Sequence, residues 1–359
     1  MTGYSFTTPV WEEGRWVVPA VAGVRAAREA SGPEGQPRKA PAQWDEISWR
    51  EQEELVRRLR QRIFKAAQKQ GWPKVRSLQK LMLRSRACAL VSVRQVTQRN
   101  AGRGTAGIDG EVALTPEARA RVAVRVHQSA ASWCPRPVRR VYIPKASNRA
   151  RLRPPGIPVL MDRCHQQRVR HALEPEREAR FEPGSYGFRP GRGCHDAIGA
   201  ICSVCKGPMA KRVWALDAGL AAASDRIDHG HLLAALGSFP ARDLIRGWLK
   251  AGVLEAGKGF APAEEGTPQG GVISPCLMNV ALHGLEEAAG VRYKTSGVHA
   301  GEPVAGSPVA VRYADDVGRA LPQPGAGRAR QGAAGGMAGA AGPGLQRGQD
   351  ESRPPRGRL

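Results

Sequence analysis

Two adjacent carboxylates close an apolar run, Val309-Ala310-Val311-Arg312-Tyr313-Ala314-Asp315-Asp316-Val317. Val and Tyr favour extended backbone, so the run predicts a strand, a turn and a second strand, with the acids at the tip. Side-by-side carboxylates call for a compensating cation, and hard oxygen ligands suit Mg²⁺ best. The competing reading is an ordinary Asp-rich turn. A second strand-like run, Lys211-Arg212-Val213-Trp214-Ala215-Leu216-Asp217, also ends on an acid.

Other stretches carry groups suited to phosphates and bases. Residues 136–145 form a basic strand, containing Arg139 and Arg140 and ending on Lys145, and residues 148–158 turn back through Arg153. Two such segments joined by a short polar turn predict a hairpin able to clamp a triphosphate or a template backbone. Residues 182–193 interleave Tyr186 and Phe188 with glycines, Arg189 and Arg192. That mixture suits stacking on bases with charge on phosphates. Its competing reading is a packed turn anchored by the two aromatics. Gly266-Thr267-Pro268-Gln269-Gly270-Gly271 leads into a helix predicted over 276–287, and a glycine-rich helix start suits an anionic ligand.

These groups need helices behind them. Ile47, Leu55, Leu59 and Ile63 recur at helical spacing until Gly71-Trp72-Pro73 ends the pattern. A second helical pattern runs over 74–99, with Val75, Leu78, Leu81 and Met82 apolar. With few acids, its outward face is either a solubilising or a phosphate-facing surface. A glycine-dense loop at 100–110 follows, with no Gly-Lys-Ser/Thr, so it is not a P-loop. Further helices are predicted over 116–129, over 161–174 and around Leu232, Leu233 and Leu236.

The chain carries 55 Lys+Arg against 32 Asp+Glu, a formal net charge of +23. An imbalance this large speaks to partners, with nucleic acid first and an anionic membrane surface second. No apolar run is long enough to span a bilayer, and the N-terminus lacks a signal-peptide pattern, so a cytoplasmic location is expected. Seven scattered cysteines, an odd number, argue against a disulfide framework. Cys202-x-x-Cys205 has ligand spacing, with Cys194 and His195 nearby. No second such pair follows, and a closed zinc site needs four ligands.

In order along the chain, these blocks resemble the reverse transcriptase/maturase encoded by bacterial group II introns. Residues 100–110 resemble its entry block. Tyr142-Ile143-Pro144-Lys145 with Arg153-Pro154-Pro155-Gly156-Ile157-Pro158, and then Ser185-Tyr186-Gly187-Phe188-Arg189-Pro190-Gly191-Arg192, resemble its fingers. Asp225-Arg226-Ile227-Asp228-His229, the Gly266–Gly271 block with Ser274-Pro275, and Tyr313-Ala314-Asp315-Asp316 resemble its palm. The resemblance implies an α/β (α+β) right-hand polymerase, with an antiparallel palm sheet packed on helices. It also implies two Mg²⁺ ions at the catalytic pair Asp315 and Asp316, with Asp217 as a further candidate ligand. Lys145, Arg153 and Gln269 would hold the nucleotide, and Arg139, Arg140, Tyr186, Arg189 and Arg192 would contact RNA. The implied partners are group II intron RNA, an RNA template, a DNA primer and deoxynucleoside triphosphates, with no membrane.

The chain also departs from that family. The family's first palm motif carries an Asp six residues before the Asp matched by Asp225, and position 219 is Gly. Asp217 is two residues off, roughly 6–7 Å along a strand. Ser224 stands where the family usually has an aromatic. After Val317 the chain turns to Gly, Ala, Arg and Pro, which cannot build a core. The expected organisation is therefore a loose N-terminal segment (1–43), an N-terminal extension with fingers (44–205), a partial palm (206–317) and a disordered tail (318–359). The tail is expected to be read out of frame, the thumb absent and the second strand of the acid hairpin broken. Little or no polymerase activity is then expected, an impaired or inactive enzyme. The alternatives are a non-catalytic intron-RNA-binding protein and a decayed remnant.

Overall fold

The computed structural model describes residues 10–12, 15–17, 44–130, 132–144, 152–205, 214–220, 223–267, 270–296, 298, 301–304 and 306–321. Residues Met1–Ala40 form one unit and Pro41–Leu359 another. In the first, β1 (Val10–Glu12) pairs antiparallel with β2 (Arg15–Val17), Trp11 opposite Trp16. Three residues a side are too short to show a period, so the sequence predicted no element there.

The second unit begins with helices. α1 (Trp49–Gln68) buries Val56, Leu59, Ile63, Ala66 and Ala67, a stripe at 3–4-residue spacing. Gly71 breaks the chain, and Pro73 sits in the first turn of α2 (Trp72–Arg84), where a missing N–H costs nothing. The single helix expected over 74–99 is three elements. Ser85 turns extended, and its hydroxyl accepts from Cys88 N at 3.3 Å to cap α3 (Arg86–Arg94). A π-helical turn, Gln95–Arg99, follows. Leu55 and Leu81, placed in the core by spacing, are 53% and 52% exposed, while Val56, Val75, Leu78 and Met82 face inward. α4 (Pro116–Gln128) is N-capped by Thr115.

Next come β3 (Val138–Arg140), the hairpin strands β4 (Ile143–Pro144) and β5 (Leu152–Arg153), and β6 (Gly156–Ile157). α5 (Leu160–Glu178) is the central helix, and most of its polar residues are buried. Asp162 accepts from Trp133 Nε1 at 2.6 Å, Trp248 Nε1 at 2.7 Å and Arg136 N at 3.0 Å. Burial still pushes its carboxyl above the usual aspartate value. Arg168 donates to Val126 O at 3.0 Å and Ala130 O at 3.1 Å, tying α5 to the end of α4.

α6 (Cys194–Cys205), β7 (Trp214–Gly219), α7 (His229–Leu236), α8 (Arg242–Lys250), β8 (Val253–Glu255) and β9 (Gly259–Ala261) lead to α9 (Ser274–Ala281). The helix expected over 276–287 is interrupted at Gly284, whose φ is +97°, before α10 (Leu285–Ala288). β10 (Val309–Tyr313) and β11 (Asp316–Leu321) close the described chain. One sheet runs β6-β3-β8-β9, with β3 and β8 parallel, and a second, wholly antiparallel, runs β10-β11-β7. One apolar core joins α1, α2 and α5 to α7, α8, α9 and Ala314.

β11 corrects one expectation. Residues 318–321 were assigned to the disordered tail, and the second strand of the hairpin was expected to be broken. Instead, β11 is laddered on both sides, Gly318 opposite Val311 on β10 and Asp217 on β7. A central strand is held by main-chain bonds to two neighbours and does not need an alternating side-chain pattern. Residues 322–359, with the reading-frame expectation, lie outside the described residues.

Candidate active site

The acid pair lies on the turn between β10 and β11. Tyr313 pairs with Asp316, leaving Ala314 and Asp315 as the two turn residues, and both aspartates are exposed. Ala314 has φ +58°, a conformation that costs a residue with a Cβ about 1–2 kcal/mol. Such strain persists only where the surroundings over-determine it. Here the loop at 184–188 lies against the turn, and a Cβ on Gly187 would come within 2.2 Å of Ala314 N. Tyr186 N donates to Arg312 O at 2.8 Å, and Arg312 N to Gly184 O at 2.8 Å, so this loop is hydrogen-bonded along β10.

Arg312 fastens the same corner from inside. Its side chain is buried and donates to Ser185 Oγ at 2.6 Å, Asn279 Oδ1 at 2.9 Å and Ala314 O at 3.0 Å. Asn279 on α9 in turn donates to Gly187 O at 2.9 Å. Burial lowers the guanidinium pKa to about 10, which leaves it charged at neutral pH. Sequence reasoning missed Arg312 and Asn279, although a charge inside an apolar strand was a visible signal. Beside them Glu286 accepts from Gly184 N at 2.6 Å and from Tyr293 Oη, and its own N donates to Glu182 Oε1 at 2.8 Å. Burial pushes the Glu286 carboxyl up to about 7, and the neighbouring Glu182 carboxylate adds to the rise.

β7 supplies the third side. Gly219 is the register partner of Asp316, and Leu220 N donates to Asp315 O at 2.9 Å. A Cβ on Gly219 would meet nothing within 4 Å. Asp217 falls opposite Gly318, two register steps away. The position brought beside the acid pair is therefore 219, which bears no carboxylate. Among the described residues no group of three or more His, Cys, Asp or Glu is placed to hold a metal ion. The donor set at the turn is two hard carboxylates beside an open position, a partial fit to Mg²⁺.

Lys145 and Gln269 lie outside the described residues. Arg153 is exposed on β5, opposite Ile143. Arg139 and Arg140 are half-buried on β3. Tyr186 packs against Ala197, Val309 and Val311, and Arg192 stacks 5.2 Å over its ring while donating to Pro183 O at 2.5 Å. Arg189 corrects its assignment as an RNA contact. It is 6% exposed, and it donates to Glu178 Oε1 at 2.6 Å and to Glu182 O and Ser185 O at 2.7 Å. A guanidinium engaged by Glu178 of α5 and two carbonyls of its own loop shapes that loop. The palm blocks do converge. Thr267 N donates to Ser224 O at 2.7 Å, Gly266 N to Ile227 O at 2.8 Å, and His229 Nε2 lies 2.7 Å from Gly266 O. Cys202 and Cys205 are free thiols on α6.

Residues 143–322 match the family of reverse transcriptase (RNA-dependent DNA polymerase), and residues 44–126 match the N-terminal domain of reverse transcriptase. The chain belongs to the reverse transcriptase family. It is 35% identical over 217 residues to Protein YkfC of Escherichia coli, covering 57% of this chain and 55% of that one. It is 38% identical over 160 residues to the group II intron-encoded protein LtrA of Lactococcus lactis, covering 44% of this chain and 26% of that protein. A protein of the cob intron of Schizosaccharomyces pombe is 38% identical over 156 residues, 42% of this chain and 18% of its own length. The chain thus spans about half or less of these relatives. The fold mixes α-helices and β-sheets, as that family match implies, and no described helix is long and apolar enough to cross a membrane.

Proposed function

We propose that this chain derives from an RNA-directed DNA polymerase of a group II intron and keeps its nucleic-acid surface with an incomplete metal site. The observation that carries the reading is the register across the palm, in which Asp316 faces Gly219. Asp315 and Asp316 would hold Mg²⁺, which when bound neutralises charge in phosphoryl transfer. The buried Arg312–Asn279 network holds the turn that presents them. Arg153, exposed on the β4–β5 hairpin, offers a planar fork to a triphosphate, and Lys145 and Gln269 join it by resemblance. Group II intron RNA, an RNA template, a DNA primer and deoxynucleoside triphosphates are the proposed partners.

RNA-templated primer extension with Mg²⁺ tests the reading. We expect weak incorporation, abolished by Asp315→Asn and raised by Gly219→Asp. Robust incorporation that ignores both substitutions would refute it. Gly219 also favours a second reading, an RNA-binding protein without catalysis. That reading predicts salt-dependent RNA binding and no incorporation even with Gly219→Asp.

A further inference from the structure

Tyr186 and Phe188 have opposite fates. Tyr186 is packed, whereas Phe188 is 52% exposed and has φ +61°. A phenylalanine gains nothing for the fold by standing in water, and the left-handed backbone costs it about 1–2 kcal/mol. The neighbours enforce this pose. Gly187 is locked by Asn279 and by the close approach of Ala314, and Arg189 is held by Glu178 and two carbonyls. Between them the ring is directed onto the edge of a cavity of about 490 Å³.

The cavity is polar on its other sides. Arg60 from α1, Gln95 from the π-helical turn, and Gln167, Arg170 and Glu174 from α5 line it with Phe188. Glu174 takes both cations, Arg60 at 2.6 Å and Arg170 at 2.7 Å. Two guanidiniums on one carboxylate leave a net positive charge on a wall that water reaches, since the two arginine side chains are 25% and 35% exposed. His171, half-buried on the same wall, is held neutral, its pKa lowered to about 3 by desolvation and by the two arginines, so it adds no charge. Gln95 brings an amide that can donate to and accept from a base edge, and Gln167, whose Nε2 lies 3.2 Å from His171 Nε2, adds an amide oxygen. An exposed aromatic face, amides and surplus guanidinium charge suit an unstacked nucleobase with its phosphate.

We infer that this cavity is a binding site for one unpaired nucleotide of single-stranded RNA, its base stacked on Phe188 and its phosphate held by Arg60 and Arg170. The same loop carries Gly187 against the Asp315-Asp316 turn, so the strand would lie one residue from the acid-bearing corner. The site deepens the nucleic-acid reading above. It does not depend on the metal, so primer extension can fail while this site stands.

The test is equilibrium binding of the full chain to a short single-stranded RNA carrying 2-aminopurine, whose emission reports stacking. We expect an emission change on binding, lost in Phe188→Ala with a fall in affinity of about 5- to 100-fold, and retained in Phe188→Trp. Arg170→Gln should lower affinity and reduce the salt slope by about one. Because Phe188 is exposed, Phe188→Ala should melt at the native temperature, which separates loss of stacking from loss of fold. Native affinity in Phe188→Ala overturns the proposal. So does equal binding of duplex RNA with the same dependence on Phe188, or AMP bound as tightly as the oligomer. If Phe188→Ala is neutral while primer extension works, this proposal alone falls.

Discussion

Replacing Gly219 by Asp would place a carboxylate directly across the sheet from Asp316. The backbone accepts it, because Gly219 is not in the left-handed region and its Cβ position is open. Opposed residues on neighbouring antiparallel strands have Cβ atoms roughly 5 Å apart, within reach of one shared ion. Without metal, two like charges so placed cost up to about 1 kcal/mol, so Gly219→Asp should melt slightly lower than the native chain in EDTA. With a divalent ion the sign reverses. Unit charges 4 Å apart attract by about 1 kcal/mol in water and about 4 kcal/mol at an effective dielectric of 20, and a divalent ion doubles both figures. At an exposed turn the lower end applies, about 2–3 kcal/mol, or Mn²⁺ bound about 30- to 100-fold more tightly. Titration followed by electron paramagnetic resonance measures this directly, with Gly219→Asn as the uncharged control. If Asp tightens Mn²⁺ no more than Asn does, position 219 is not part of the metal site and the register argument is wrong.

Three further outcomes follow from the packing around the turn. Arg312→Met strands the acceptors on Asn279 and Ala314, so urea denaturation should show a loss of about 3 kcal/mol, and a loss below about 1 kcal/mol would contradict the network. Gly187→Ala drives a Cβ to 2.2 Å from Ala314 N, a contact only a backbone shift relieves, so amide exchange at residues 313–317 should accelerate at least about tenfold. The Glu286 carboxyl titrates at about 7 when folded against a usual 4.5, among Glu182, Tyr293 and Arg312. The folded chain therefore holds this proton between those values while the unfolded chain releases it, and stability falls as pH rises from about 4.5 to 7, by up to about 3 kcal/mol. Glu286→Gln should stabilise the protein at pH 8 and not at pH 5, and equal melting shifts at both would refute the assignment.

Local pattern was enough for the chemistry-bearing strands and the principal helices. Val309–Tyr313 announced a strand running into a turn because extended propensity and the terminal acids are properties of neighbours in sequence. Gly71-Trp72-Pro73 announced a helix break because proline tolerates only the first turn. The basic β4–β5 hairpin was legible for the same reason.

What the sequence could not decide depends on contacts between distant residues. Leu55 and Val56 are adjacent and both apolar, and only packing against α2, α3 and α5 chose Val56 for the core. Arg189, Arg192 and Arg153 read alike as cations, yet the fold sealed Arg189 inside its loop and left Arg153 in water. The end of β11, residues 318–321, looked unstructured because a central strand draws half of its bonds from β7, about a hundred residues away in sequence. Composition and motif pointed to the reverse transcriptase family. The strand register, a property of the assembled sheet alone, set Gly219 directly against Asp316 and moved Asp217 two steps away.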